Sequence, residues 1–155
     1  MQGVPVSNVA NAPVVEGLFT WSDAPPQLIG SRHRETGAVT FPADPSNDDL
    51  EEVLLSRTGT LFTWTTQEFV PPAPPYSGDT DPERFVPYAV GYVELPEGLL
   101  VEGRLTESDP AKLAIGQPME LVLVPFRTEP DPGDQQIHEI LTFAFAPVPA
   151  GEVLQ

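Results

Sequence analysis

Proline occupies 20 of the 155 positions, and this feature more than any other limits what the chain can become. Each proline fixes φ and removes a backbone donor, so it interrupts helices and is confined in sheets to edges, strand starts and bulges. Short strands joined by stiff loops are therefore expected, without long helices. Hydrophobic residues make up 40% of the chain, enough for one core at this length.

Twenty-three acidic residues stand against seven basic ones, a formal charge of −16. Phosphate-backbone binding depends on Lys and Arg displacing counterions, and anionic membrane surfaces likewise attract basic segments. Neither nucleic acid nor a membrane is thus an expected partner. The charge itself speaks to solubility rather than fold. There is no cysteine, which excludes disulfides, a thiolate nucleophile and Cys-ligated zinc. Residues 1–15 have no basic start followed by an apolar run, so they do not read as a signal peptide. No segment has the apolar length needed to span a bilayer. A soluble, cytoplasmic protein is the expectation.

Residues 1–16 lack sustained periodicity and read as a flexible or partner-ordered arm. Leu18, Phe19 and Trp21 come next, before Pro25 and Pro26. This group reads as a cap on the core or as a docking peg, and Trp suits both roles. Within residues 17–50 a hairpin is expected, its strands at 27–32 and 38–42 around a turn closed by Gly37. Residues 51–146 carry a β rhythm, beginning with 51–56 and then 60–70, where alternation puts Phe62 and Trp64 on one face. A long proline loop, 71–87, follows. Further strands are expected at 88–95, 99–105, 119–126 and 137–145, with residues 147–155 as a tail. Asp109-Pro110 opens a short helical turn that Gly116 stops. Five strands with a short helix between the third and fourth is the order of an OB-fold barrel.

Motifs for catalysis are sparse. The chain has no nucleophile elbow, no phosphate-cradling glycine loop and no His-Glu-x-x-His helix. His33 and His138 lie far apart, neither within a ligand pattern. The acidic run 48–52 reads as a solvated cluster, since it lacks the spacing and glycine of a calcium loop. No catalytic residue, metal or cofactor is assigned.

Four segments in order carry a resemblance: Gln27-Leu28-Ile29-Gly30-Ser31-Arg32-His33-Arg34-Glu35-Thr36-Gly37 followed by Phe41-Pro42; Arg57-Thr58-Gly59-Thr60-Leu61; Pro87-Tyr88-Ala89-Val90-Gly91-Tyr92-Val93-Glu94-Leu95; and Ile115-Gly116-Gln117-Pro118-Met119-Glu120-Leu121-Val122. Together they resemble domain-of-unknown-function family thirty-five, in which a rubredoxin-like zinc ribbon precedes an OB-fold. His33 and Thr36 stand at the places of the first cysteine pair. The second pair is missing, with residues 43–49 as a shortened connection. Structural zinc needs four ligands, so the resemblance does not carry the metal over. The ribbon is expected to be a metal-free relic held by Leu28, Ile29, Val39 and Phe41.

The resemblance implies an accessory subunit that binds a thiolase-like enzyme of lipid-transfer-protein or aldolase type. It would help form that enzyme's acyl-CoA site, in steroid side-chain or fatty-acid breakdown, while the partner supplies the catalytic residues. A stand-alone acyl-CoA or small-ligand binder is the other reading. The partner surface is expected at Phe19 and Trp21 and at Tyr76, Arg84 and Phe85. Aromatic and Arg side chains anchor interfaces, and loops of this length in compact domains tend to be functional.

Overall fold

The computed structural model describes residues 9–130 and 137–149. Its strands are β1 (Val9–Pro13), β2 (Ile29–His33), β3 (Val39–Thr40), β4 (Leu50–Leu54), β5 (Thr58–Gln67), β6 (Tyr88–Leu95), β7 (Leu99–Leu105), β8 (Pro118–Pro130) and β9 (Ile137–Pro147). Among the described residues the helical element is a 3-10 turn, Pro110–Lys112. Asp109 caps it by accepting from the Ala111 N–H.

Strands β5 to β9 close a ring. Antiparallel pairs join β5 to β6, β6 to β7, β8 to β9 and β8 back to β5, while β7 and β9 pair in parallel. With the helical turn between β7 and β8, this is the five-stranded OB-fold barrel expected from the sequence. Closure satisfies the edges that an open sheet would expose. Tight turns between strands need glycine where φ is positive, as at Gly98 (φ 91°) between β6 and β7.

A second sheet holds β2 between β3 and β4. The rhythm of residues 51–56 groups them with the barrel, but β4 pairs with β2, from Ile29↔Leu54 to His33↔Leu50. Periodicity reports that a segment is a strand, not which sheet it joins. Arg32 and Arg34 both reach Glu51 across this sheet, Arg32 at 2.7 Å. The hydrogen bond from Arg32, then its charge and that of Arg34, holds the Glu51 carboxyl below its ordinary range. The acidic run is thus partly tied down rather than wholly solvated.

The two sheets share one core. Leu28 and Leu55 from the ribbon side are as buried as Leu61, Val93, Leu121 and Phe145 of the barrel. Of the expected ribbon residues, Val39 and Phe41 pack against this cluster, Phe41 meeting Phe143 edge-on at 5.8 Å. Arg57 clasps the two parts, donating to the carbonyls of Pro26 (2.9 Å) and Leu121 (2.8 Å). Beside it, the Ser56 N–H and hydroxyl both donate to one Glu97 oxygen at 2.8 Å.

Three expectations need correction. First, β1 is an ordered strand within the stretch read as an arm, while residues 1–8 lie outside the described residues. The reason is an open edge: β7 covers β9 only at Ala144 and Phe145, and β1 takes the free part at Ile137–Leu141. Second, β5 does not alternate simply. A register shift between Leu61 and Thr63 turns both Leu61 and Trp64 toward the core and leaves Phe62 outside, 51% exposed. A bulge inserts one unpaired residue and so flips the alternation beyond it. Third, β8 and β9 run past the segments read from the sequence. Pro125 sits at a second register shift, where the missing N–H costs no ladder bond, and pairing resumes to Pro130. At the other end β9 continues to Pro147, and Val148 donates to the Pro118 carbonyl, so the tail begins bonded; residues 150–155 lie outside the described residues.

Candidate ligand and partner surface

The long loop leaves β5 at Gln67 and returns at Tyr88, which face each other in the β5–β6 register. Between them the chain folds back onto β8. The Tyr76 ring meets Phe126 edge-on at 5.8 Å, and Arg127 donates to the Ser77 carbonyl (3.1 Å) and hydroxyl (3.2 Å). Tyr76 also covers Gly78 so closely that a Cβ there would meet its ring. Further on, Arg84 pairs with Asp79 and, at 2.8 Å, with Asp81. The Arg84 hydrogen bond, with help from the Asp81 N–H, lowers the Asp79 pKa to about 2. Phe85 lies against Tyr88 at 6.1 Å.

At the foot of this loop Phe69 and Val86 stand 80% and 74% exposed. The Arg104 guanidinium carbon lies over the Tyr88 ring, 3.8 Å from its centroid, and 5.7 Å from that of Phe126. Arg127 approaches the same Phe126 ring at 5.5 Å. Alternation places Tyr88 and Arg104 here, because the inward positions of β6 and β7 are taken by Ala89, Gly91, Gly103 and Leu105. Grooves of about 380 and 400 Å³ flank the stack, both lined by Tyr88 and Arg104.

The expected partner residues therefore fall into two groups. Tyr76, Arg84 and Phe85 gather around Phe126 and Tyr88. Trp21 lies elsewhere, lining a groove with Asn11, Asp23, Pro26 and Leu123 that shares no residue with the loop grooves. Phe19 is only 3% exposed, bridged to Leu28 and stacked behind Trp21 at 6.2 Å. It serves as the core cap, and Trp21, 46% exposed, is the member that presents a surface. Sequence reading missed Arg104, Phe126 and Arg127. An outward arginine on β7 could have been noticed from alternation, but its stacking partners come from other strands.

The resemblance to a zinc ribbon raises the question whether these residues fit the metal. His33 Nδ1 accepts the N–H groups of Glu35 and Thr36, both at 3.2 Å, and the Thr36 hydroxyl accepts from Ala38. Nearby, Ser31 accepts from the Asp44 N–H at 2.9 Å. At the first cysteine pair's places His33 Nδ1 and the Thr36 hydroxyl are thus engaged in the turn, and there is no thiolate. The residues present do not fit a tetrahedral structural site. Among the described residues no group of His, Cys, Asp or Glu could hold a metal ion. None of their helices is long and apolar enough to cross a membrane.

The barrel and the ribbon sheet define an OB-fold protein. The family model described as "ChsH2, C-terminal OB-fold domain" matches residues 52–124. A DUF35 domain-containing scaffold protein of Pyrococcus furiosus is 32% identical over 101 residues, covering 62% of this chain and 68% of the relative. The chain belongs to the DUF35 family. It is also 27% identical over 113 residues to the 3-oxo-4,17-pregnadiene-20-carboxyl-CoA hydratase alpha subunit of Mycobacterium tuberculosis, covering 70% of this chain but only 33% of that one. A solved Ltp2-ChsH2(DUF35) aldolase chain matches with a TM-score of 0.49 and 25% identity, covering 78% of this chain and 84% of that one.

Proposed function

We propose that this chain is a non-catalytic accessory subunit that binds a thiolase-like enzyme and helps form its acyl-CoA substrate site. The observation that carries this reading is its match to a DUF35 protein named a scaffold over two thirds of that protein's length. The hydratase relative is named for a CoA thioester, which supports an acyl-CoA setting and a place in steroid side-chain or fatty-acid breakdown. The docking surface is the long loop, with Tyr76, Arg84 and Phe85 and the exposed Phe69 and Val86 near its two ends, and Trp21 as a second contact. Exposed aromatic and Arg groups on a stiff frame lose little entropy on binding.

Coexpression with thiolase-like proteins of the source cell tests it. A stable complex is expected to survive gel filtration and to be weakened by Val86→Asp together with Phe69→Ser. The grooves beside Arg104 favour the second reading, a stand-alone acyl-CoA or small-ligand binder. In that case the chain elutes alone and unpartnered, and its melting temperature rises with acyl-CoA.

A further inference from the structure

Among the described residues nearly every arginine has a hydrogen-bond or ion-pair partner. Arg32 and Arg34 reach Glu51, Arg57 caps two carbonyls, Arg84 holds two aspartates, and Arg127 bonds Glu129 and Ser77. Arg104 is the exception: it makes no hydrogen bond and no ion pair among the described residues, and only stacks. A guanidinium has five N–H donors in a fixed fork. Stacking on Tyr88 restrains that fork while leaving its donors without a protein acceptor and open to solvent or to a ligand.

Arg104 lines a groove of about 380 Å³ together with Val86, Tyr88, Thr106, Ser108 and Val124, among others, and with no carboxylate. That is notable in a chain with 23 acidic residues. The neighbouring grooves carry Glu102, or Asp79 and Glu139. The acid-free groove thus combines one ring-stacked cation, the two aliphatic hydroxyls of Thr106 and Ser108, and largely apolar walls, at a size suited to a small ligand.

We propose that this groove binds a small phosphorylated ligand, with Arg104 taking the phosphate in a bidentate contact and Thr106 and Ser108 on its remaining oxygens. Tetrahedral phosphate matches a fork plus two hydroxyls better than a planar carboxylate does. The inference needs no partner protein, so its failure leaves the accessory-subunit reading standing, and the converse holds too.

The test uses the full chain, labelled for NMR of arginine side-chain N–H groups. Inorganic phosphate is titrated against sodium chloride at matched ionic strength, with acetate as a parallel arm. One arginine signal is expected to shift saturably with phosphate, on the order of millimolar for so small a probe. Arg104→Gln should remove that signal, and phosphate binding read from the backbone signals of Thr106 and Ser108 should weaken about tenfold or more. Thr106→Val, which leaves the stack intact, should weaken it less, and Lys112→Gln should leave it unchanged although it removes the same charge. The proposal is overturned by no saturable shift, by an equal backbone response in Arg104→Gln, or by acetate saturating at or below the phosphate concentration.

Discussion

Tyr76 rests edge-on against Phe126 at 5.8 Å, tying the middle of the proline loop to β8. The loop is therefore not a free arm. Its conformation is held from the barrel side by this ring pair, by Arg127 on Ser77, and from within by Arg84 on Asp79 and Asp81. A docking surface built on such a loop is organised before any partner arrives, which lowers the cost of binding.

Removing the ring tests this. Tyr76→Ala is expected to cost about 0.5–1.5 kcal/mol beyond the area lost. The larger effect should be local, with proteases cutting within residues 71–87 much faster than in the parent chain. Mass spectrometry of the limited digest reads the cut sites. Unchanged cleavage would show that the ring pair does not hold the loop.

The ion pair inside the loop sets a pH range. Asp79 has its pKa lowered from 3.8 to about 2, chiefly by the Arg84 hydrogen bond. Its contribution to loop order is therefore fully present above pH 3.8 and fades as pH falls toward 2. Carboxyl-carbon NMR titration should give a midpoint near 2 for Asp79, returning toward the ordinary value in Arg84→Ala. Because both groups face solvent, global stability should hardly register the change.

The bulge in β5 separates two neighbours of similar chemistry. Leu61→Ala removes a side chain that is 1% exposed and should cost about 2–5 kcal/mol. Phe62→Ser acts on the outward side and should stay within about 0.5 kcal/mol. Urea unfolding of both variants decides it. Equal costs would place Phe62 in the core, as simple alternation has it.

Zinc should contribute nothing to the ribbon. The chain has no cysteine, and His33 Nδ1 is already accepting from the turn. Elemental analysis of dialysed protein should find well below one zinc per chain, and a chelator should leave the melting temperature unchanged. Loss of the ribbon fold on chelation would make His33 a ligand after all.

Proline content and charge, read from the residues alone, excluded long helices and set aside nucleic acid. Turn residues between alternating segments marked β6 and β7 to the residue, because Gly98 and the apolar alternation act locally. What those signals could not carry was anything set across strands. The sheet that β4 joins, the parallel docking of β1 on β9 and the shift that expels Phe62 all depend on which edge is open once the barrel has closed. The same holds for the candidate site. Phe19 and Trp21 are aromatics two positions apart in sequence, yet the core takes one and leaves the other at the surface. Arg104 gained its character from Tyr88 and Phe126, which sit on two other strands. Local chemistry fixes which segments extend and turn; only packing around a closed ring decides which side chains meet.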